Sequence, residues 1–210
     1  MTRTGKPGAV AALLAALAAG LLALLVATQP ADAAMRFEVV TKTFSNSRPI
    51  TIPSNGAASP YPSEISVGGL KRGRILDVNL SLRGFSHPVP PHVDVLLSKG
   101  NLGCTVVSDV GNEVDQPSDV DNITLLLDDE AANSRPEFGR LFGGRFKPTN
   151  AQGPDFFFPP VPSRGFPALS GFDGSNPNGT WQLRVVNDAS FGSGQFAGGW
   201  SITIKARVRR

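Results

Sequence analysis

The chain has 210 residues and a formal net charge of +3, from 20 basic and 17 acidic residues. This length favours one folded domain with short appendages, and so weak a charge does not favour a nucleic-acid-binding surface. The chain contains one cysteine, which excludes an internal disulfide and leaves the hydrophobic core as the main source of stability.

Residues 1–34 have the pattern of a secretory signal peptide. Arg3 and Lys6 precede an uncharged apolar run from Ala9 to Ala27, and small residues follow at Ala31 and Ala33. This order of a basic start, an apolar middle and a small-residue exit is typical of a cleaved leader. The alternative is a retained anchor, because a spanning helix needs about 20 residues. The alanine-rich run favours cleavage, which predicts a secreted or cell-surface protein without membrane contact after processing.

The rest of the sequence predicts an all-β fold. Short runs rich in β-branched residues alternate with Gly, Pro, Asn and Asp clusters, and no run after the leader has helical periodicity. We expect an N-terminal extension or edge strand at 35–46, a β-sandwich domain at 47–206 and a basic tail at 207–210. In chain order the main predicted strands lie at 49–53, 63–69, 74–85, 92–98, 104–108, 122–129, 181–187 and 200–206. The stretch KGNLG at 99–103 supplies glycine and asparagine for a hairpin loop, so the strands at 92–98 and 104–108 are expected to pair.

Two related motifs lie near the end of the chain, NPNGTW at 176–181 and GGW at 198–200. The first predicts a tight turn in which Gly179 is structural. Trp181 and Trp200 each begin an alternating apolar–polar run, so both are expected to pack in the core. We expect the strands that begin at these two residues to pair as a hairpin.

The order of these motifs resembles the P domain (P/Homo B domain) of subtilisin-like proprotein convertases, in its stand-alone bacterial form. The resemblance is carried by HPVPPHVDVLLS at 87–98, NITLLLDDEA at 122–131, NPNGTW and GGWSITI, and it covers roughly residues 47–205. It implies a jelly-roll β-sandwich of about eight strands that has no catalytic residues and stabilises a protease domain. It also implies a protein partner, for example an exported protease supplied in trans, and a structural role for His87.

The residues themselves do not favour an enzyme. A subtilisin-type triad needs an α/β scaffold, and the chain has two histidines, His87 and His92, and no G-x-S-x-G elbow. A label of serine-type endopeptidase would describe the family and not this chain. Cys104, inside the run CTVVS, is expected to be a buried apolar side chain. The alternative function is a carbohydrate-binding or cell-surface adhesion sandwich, for which Tyr61 is a candidate sugar-stacking residue.

Acidic residues make calcium a candidate ligand. The stretch 108–122 holds five acidic residues and no basic residue, and Ca²⁺ accepts carboxylate and carbonyl oxygens in irregular loops. The pattern fits either a calcium site or a solvated acidic loop, and it lacks EF-hand spacing. The candidate ligands in these loops and in the later acidic turns are Asp109, Asp115, Asp128, Asp129, Asp173 and Asp188.

Three consecutive phenylalanines, Phe156, Phe157 and Phe158, stand between Asp155 and a proline pair. Exposed aromatic residues in such a group are typical of a partner-binding surface. The alternative is that they cover one open end of the sandwich. The sequence alone leaves both interpretations open.

Overall fold

The computed structural model describes residues 1–2, 36–111, 119–134 and 139–210. The predicted signal peptide, apart from its first two residues, and the candidate ligand Asp115 lie outside these ranges. Within them, no helix is both long enough and apolar enough to cross a membrane. The helical elements described are two short 3-10 turns, Pro90–His92 and Leu169–Phe172.

The described residues form two seven-stranded sheets, which confirms the predicted all-β sandwich. There are fourteen strands in these ranges instead of about eight, because the loops and sheet edges add short strands of two or three residues. The strands are β1 (Phe37–Asn46), β2 (Ile50–Ile52), β3 (Gly56–Ala57), β4 (Ser63–Val67), β5 (Arg74–His87), β6 (Val93–Lys99), β7 (Leu102–Ser108), β8 (Val120–Leu127), β9 (Gly144–Phe146), β10 (Thr149–Asn150), β11 (Arg164–Phe166), β12 (Gly179–Asn187), β13 (Gly194–Phe196) and β14 (Trp200–Arg209).

The first sheet has the order β1-β14-β5-β13-β2, with β8 beside β5 and β9 beside β8. The second sheet has the order β10-β7-β6-β12-β3, with β11 beside β7 and β4 beside β12. The chain passes repeatedly from one sheet to the other, for example from β4 to β5 and from β5 to β6. Such crossing is found in β-sandwiches with Greek-key or jelly-roll connections.

The core lies between the sheets and follows the period-2 alternation of the strands. Alternate residues of β5 (Val78, Leu80 and Leu82) enter it from the first sheet, and Leu183 and Val185 enter it from the second. The predicted hairpin between β6 and β7 is confirmed, and its loop has Gly100 at φ +59°. The loop glycine is required here because positive φ is costly for other residues.

The predicted pairing of the two Trp-bearing strands is wrong. β12 pairs with β4 and β6 in the second sheet, whereas β14 pairs with β1 and β5 in the first. The intervening strand β13 pairs with β5, so the chain has already crossed the sandwich before β14 begins. Trp181 and Trp200, each with no exposed surface, therefore enter one core from opposite sheets.

The two ends of the domain also differ from the predicted boundaries. β1 pairs with β14 along its whole length, from Phe37 opposite Arg209 to Asn46 opposite Trp200. Val208 is buried in the core, while the neighbouring arginines point outwards. Of the two alternatives for the first segment, residues 37–46 thus form an edge strand, and residues 207–209 of the predicted basic tail belong to its partner strand.

Candidate functional site

Four aspartates lie close together at one end of the strands of the second sheet because of the directions in which these strands run. β6 runs antiparallel to β7 and β12, so its first residues lie beside the last residues of both. β10 runs parallel to β7 and ends at the same edge. Asp94 lies at the start of β6, Asp109 follows β7, Asp188 follows β12, and Asp155 lies in the loop after β10.

Three of these carboxylates form a tight group, here called the carboxylate cluster: Asp94, Asp109 and Asp155. One oxygen from each lies within 4.8 Å of the others. The hydroxyl of Ser108 lies 2.9 Å from Asp109 Oδ2 and 2.8 Å from Asp155 Oδ1. Asn150 Nδ2 donates to the second oxygen of Asp155 at 2.8 Å. The last residues of β7 and β10 thus hold Asp109 and Asp155 in place through hydrogen bonds.

Asp94 is the buried member of the cluster. Its side chain is 2% exposed, and its Oδ1 has no hydrogen-bond partner among the residues that the structure describes. Burial raises the pKa of Asp94 to about 8; the Ser108 hydroxyl opposes this shift, and the charges of Asp188, Asp155 and Asp109 add to it. A carboxyl group in this setting is unfavourable as an anion unless a proton or a cation accompanies it.

Asp109 shares this environment at the rim of the cluster. Burial raises its pKa, the Ser108 hydroxyl opposes the shift, and the charges of Asp155 and Asp188 add to it. Its backbone has φ +54°, a left-handed conformation that is uncommon outside glycine and is enriched in Asp and Asn. This conformation lies at the point where the chain leaves β7.

The sequence singled out Asp109 and Asp188, which the structure brings to the same edge, but it missed Asp94 and Asp155. Asp94 occupies an ordinary polar position in the alternating run VDVLLS. Asp155 directly precedes three phenylalanines, and an apolar run of this kind does not indicate a metal ligand. Only the strand order places these two residues beside Asp109.

The other predicted ligands that the structure describes are Asp128, Asp129 and Asp173, and none of them belongs to the cluster. Asp128 forms an ion pair with Arg145, with an N–O distance of 2.5 Å. Asp129 accepts hydrogen bonds from the backbone N–H groups at 169 and 170. The pKa of Asp173 is raised by partial burial and by neighbouring carboxylates, including Asp129. The predicted ligand set is therefore divided between at least two places in the fold.

The residues predicted to be structural have buried or turn positions. Trp181 Nε1 donates to the carbonyl of Pro177 at 3.0 Å, and Trp200 Nε1 donates to Ser63 Oγ at 2.9 Å. Gly179 has φ +119° at the start of β12. Both indole N–H groups are thus satisfied inside the core, as buried donors require.

His87 and Cys104 lie in settings that do not favour reactivity. His87 is 2% exposed, its Nδ1 lies 2.8 Å from the carbonyl oxygen of Val89, and burial lowers its pKa. Cys104 has no exposed surface, and burial raises the pKa of its thiol to about 12. At neutral pH the thiol is protonated, so it is a poor nucleophile and metal ligand.

The three predicted phenylalanines have different environments. Phe156 and Phe158 are exposed, at 63% and 40%, while Phe157 is half-buried. The rings of Phe156 and Phe158 pack edge to face at 5.1 Å, and Tyr61 packs in the same way on Phe158 at 6.1 Å. The group of Tyr61, Phe156 and Phe158 is here called the aromatic surface.

The loop that carries this surface is held on the outer face of the second sheet. Asp155 contacts Ser108 at one end of the loop, as described above. Near the other end, Pro162 packs on Gly103 so closely that a Cβ atom added to Gly103 would lie 2.4 Å from Pro162 Cγ. The loop thus has two contacts with β7 on either side of the exposed phenylalanines.

Comparison with family models, with curated proteins and with solved structures finds no match for this chain.

Proposed function

We propose that the chain is an exported, non-catalytic β-sandwich module of the P-domain type that binds a protein partner. The partner class that the resemblance favours is an exported subtilisin-like serine protease supplied in trans. The single observation that carries this proposal is the aromatic surface, which exposes Phe156 and Phe158 on a loop fixed to the second sheet.

The aromatic surface has properties that suit a docking site. Large exposed aromatic groups dominate the free energy of many protein interfaces, because they bury much apolar area on binding. Contacts of Asp155 and Pro162 with β7 hold the loop on the sheet. Holding the loop in place reduces the conformational entropy that would be lost on association.

The settings of Cys104 and His87 support a non-catalytic role. The Cys104 thiol is buried and protonated, and the His87 imidazole is buried against backbone groups. A nucleophile must instead be accessible and lie within hydrogen-bond reach of a base. In this proposal the chain contributes binding surface, and the partner contributes any chemistry.

The test is a pull-down from the secreted proteins of the source organism, followed by labelling with a serine-directed probe. The immobilised chain is expected to retain a probe-labelled protease. The double variant Phe156→Ser/Phe158→Ser is expected to lose it. Phe37→Ser is the matched control, because Phe37 is 54% exposed on β1 of the other sheet.

Three results would overturn the proposal. The first is the absence of a retained protease, or equal retention by the double variant. The second is labelling of the purified chain itself by the serine-directed probe. The third is binding to a glycan array that is lost in Tyr61→Ala, which would favour the carbohydrate-binding alternative.

A further inference from the structure

We propose that the carboxylate cluster of Asp94, Asp109 and Asp155 is a calcium-binding site, located where β6 begins and β7 ends in the second sheet. Asp188 lies beside it and lines the same surface cavity as Asp109 and Asp155. Calcium binding at this place does not depend on the proposed partner.

The cluster has few hydrogen-bond donors for its oxygens. Asn150 donates to Asp155, the backbone of Gln152 hydrogen-bonds Asp109, and the other side-chain donor that the structure describes is the hydroxyl of Ser108. Ser108 has one hydroxyl proton, yet its Oγ lies within hydrogen-bond distance of both Asp109 and Asp155. A hydroxyl donates one hydrogen bond at a time, so at any moment at least one of these two carboxylates lacks this donor. Among the described residues, no lysine or arginine forms an ion pair with any of the three carboxylates. Negative charge therefore accumulates here without a basic side chain to balance it.

The buried oxygen of Asp94 is an independent indication of a ligand. Asp94 is 2% exposed, and its Oδ1 has no hydrogen-bond partner in the described part of the chain. Buried polar atoms in folded proteins are nearly always satisfied by protein, water or an ion. An oxygen of this residue lies within 4.8 Å of oxygens of the other two carboxylates, so the side chain is directed into the cluster.

The donor set and its irregular setting favour calcium over other metals. All three side chains offer carboxylate oxygens, which are hard ligands suited to Ca²⁺ or Mg²⁺ and not to soft-metal sites. Two oxygens on opposite sides of a calcium ion are about 4.8 Å apart, because each Ca–O bond is about 2.4 Å long. The oxygens of the cluster are therefore close enough together to share one ion. Magnesium binds at shorter distances in a stricter octahedron, which an edge built from two strand ends and a loop satisfies less easily.

An ion here would join three separate parts of the chain. Asp94 belongs to β6, Asp109 follows β7, and Asp155 belongs to the loop that carries the aromatic surface. The remaining coordination positions of calcium, which takes about six to eight oxygens, would be filled by water or by carbonyl groups at the rim.

The test combines calorimetric titration of the chain with thermal unfolding in EDTA, CaCl2 and MgCl2. We expect one calcium ion to bind, the melting temperature to rise with calcium, and magnesium to bind at least tenfold more weakly. Asp94→Asn and Asp155→Asn should each weaken calcium binding at least tenfold. Asp173→Asn, which changes an acidic residue elsewhere in the fold, should bind calcium as the parent chain does.

Asp94→Asn also shows whether weaker calcium binding comes from the loss of a ligand or from the loss of the folded structure. The amide has the shape of the carboxylate but no charge, so in EDTA this variant should unfold at or above the temperature of the parent chain. The inference is overturned if calcium gives neither heat nor a rise in melting temperature. It is also overturned if Asp94→Asn and Asp155→Asn bind calcium like the parent chain, if Asp173→Asn loses binding, or if magnesium binds as tightly as calcium.

Discussion

The contact between Gly103 and Pro162 gives a sharp prediction, because the register supplies a matched control. Gly103 on β7 is directly opposite Gly165 on β11. A Cβ atom at Gly103 would lie 2.4 Å from Pro162 Cγ and 3.3 Å from Leu96 Cδ1, whereas a Cβ atom at Gly165 would meet nothing within 4 Å. The same substitution by alanine therefore creates a clash at one position and none at its neighbour.

The expected difference in stability between the two variants comes from the clash alone, because the other effect of the substitution is the same in both. Each Gly→Ala change reduces the conformational entropy of the unfolded chain, which stabilises a protein by about 0.4–1 kcal/mol where the native backbone is compatible. This gain is common to both variants and cancels in their difference. What remains is the overpacking at Gly103, which costs about 1–3 kcal/mol. For a domain of this size that cost lowers the melting temperature by roughly 2–4 °C per kcal/mol.

The assay is urea unfolding followed by the fluorescence of the two buried tryptophans. Gly165→Ala should unfold at the same or a higher urea concentration than the parent chain, and Gly103→Ala should be about 1–3 kcal/mol less stable than Gly165→Ala. Equal stabilities of the two variants, or a less stable Gly165→Ala, would refute the packing of Pro162 on β7.

Three further outcomes are expected. Ser63→Ala leaves the buried Trp200 indole N–H without its acceptor, so urea unfolding should show a loss of about 1–3 kcal/mol; the exposed Ser66→Ala on the same strand should show almost none. The Cys104 thiol, with its pKa raised to about 12, should resist a thiol reagent in the folded protein and react after unfolding, and fast labelling of the folded chain would contradict its burial. Burial lowers the pKa of His87 below its usual 6.5, so the unfolded chain binds more protons and stability falls as the pH drops below 6.5. Urea unfolding at pH 7 and pH 5 should show a smaller loss in His87→Gln, and an equal loss would be evidence against the lowered pKa.

The sequence predicted the fold class because its signals are local. Alternation along β5 and β12 assigns their inward faces, and the glycine-rich loop after β6 predicts its hairpin with β7. The opposite face of β12 was expected to be polar, yet Arg184 is 3% exposed. The loop 151–163 lies over this sheet, and its packing depends on contacts between residues far apart in the sequence.

Pairing between distant strands could not be predicted in the same way. Trp181 and Trp200 begin similar strands only nineteen positions apart in the numbering, which favours a hairpin by proximity alone. The short strand β13, three residues long, moves the chain to the other sheet. The basic residues near the C-terminus likewise favoured a solvated tail. The structure shows instead that Ala206 and Val208 alternate with them and are buried, so the strand continues to Arg209.

Only part of the candidate site was predicted, because the cluster also depends on the pairing of strands that are distant in the sequence. Asp109 and Asp188 stand in turn-like stretches, where acidic residues attract attention as ligands. Asp94 lies inside a strand, and its significance depends on Ser108 and Asp155 across the sheet edge. Asp128 and Asp129 form the more conspicuous acidic pair in the sequence, but Arg145 and backbone N–H groups already satisfy them.

The most direct test of the calcium site is a crystal structure from crystals grown with CaCl2, with anomalous difference density used to locate the ion. We expect one calcium peak at about 2.3–2.6 Å from an oxygen of each of Asp94, Asp109 and Asp155. Absence of density between these carboxylates, or a peak at Asp128 and Asp129 instead, would contradict it.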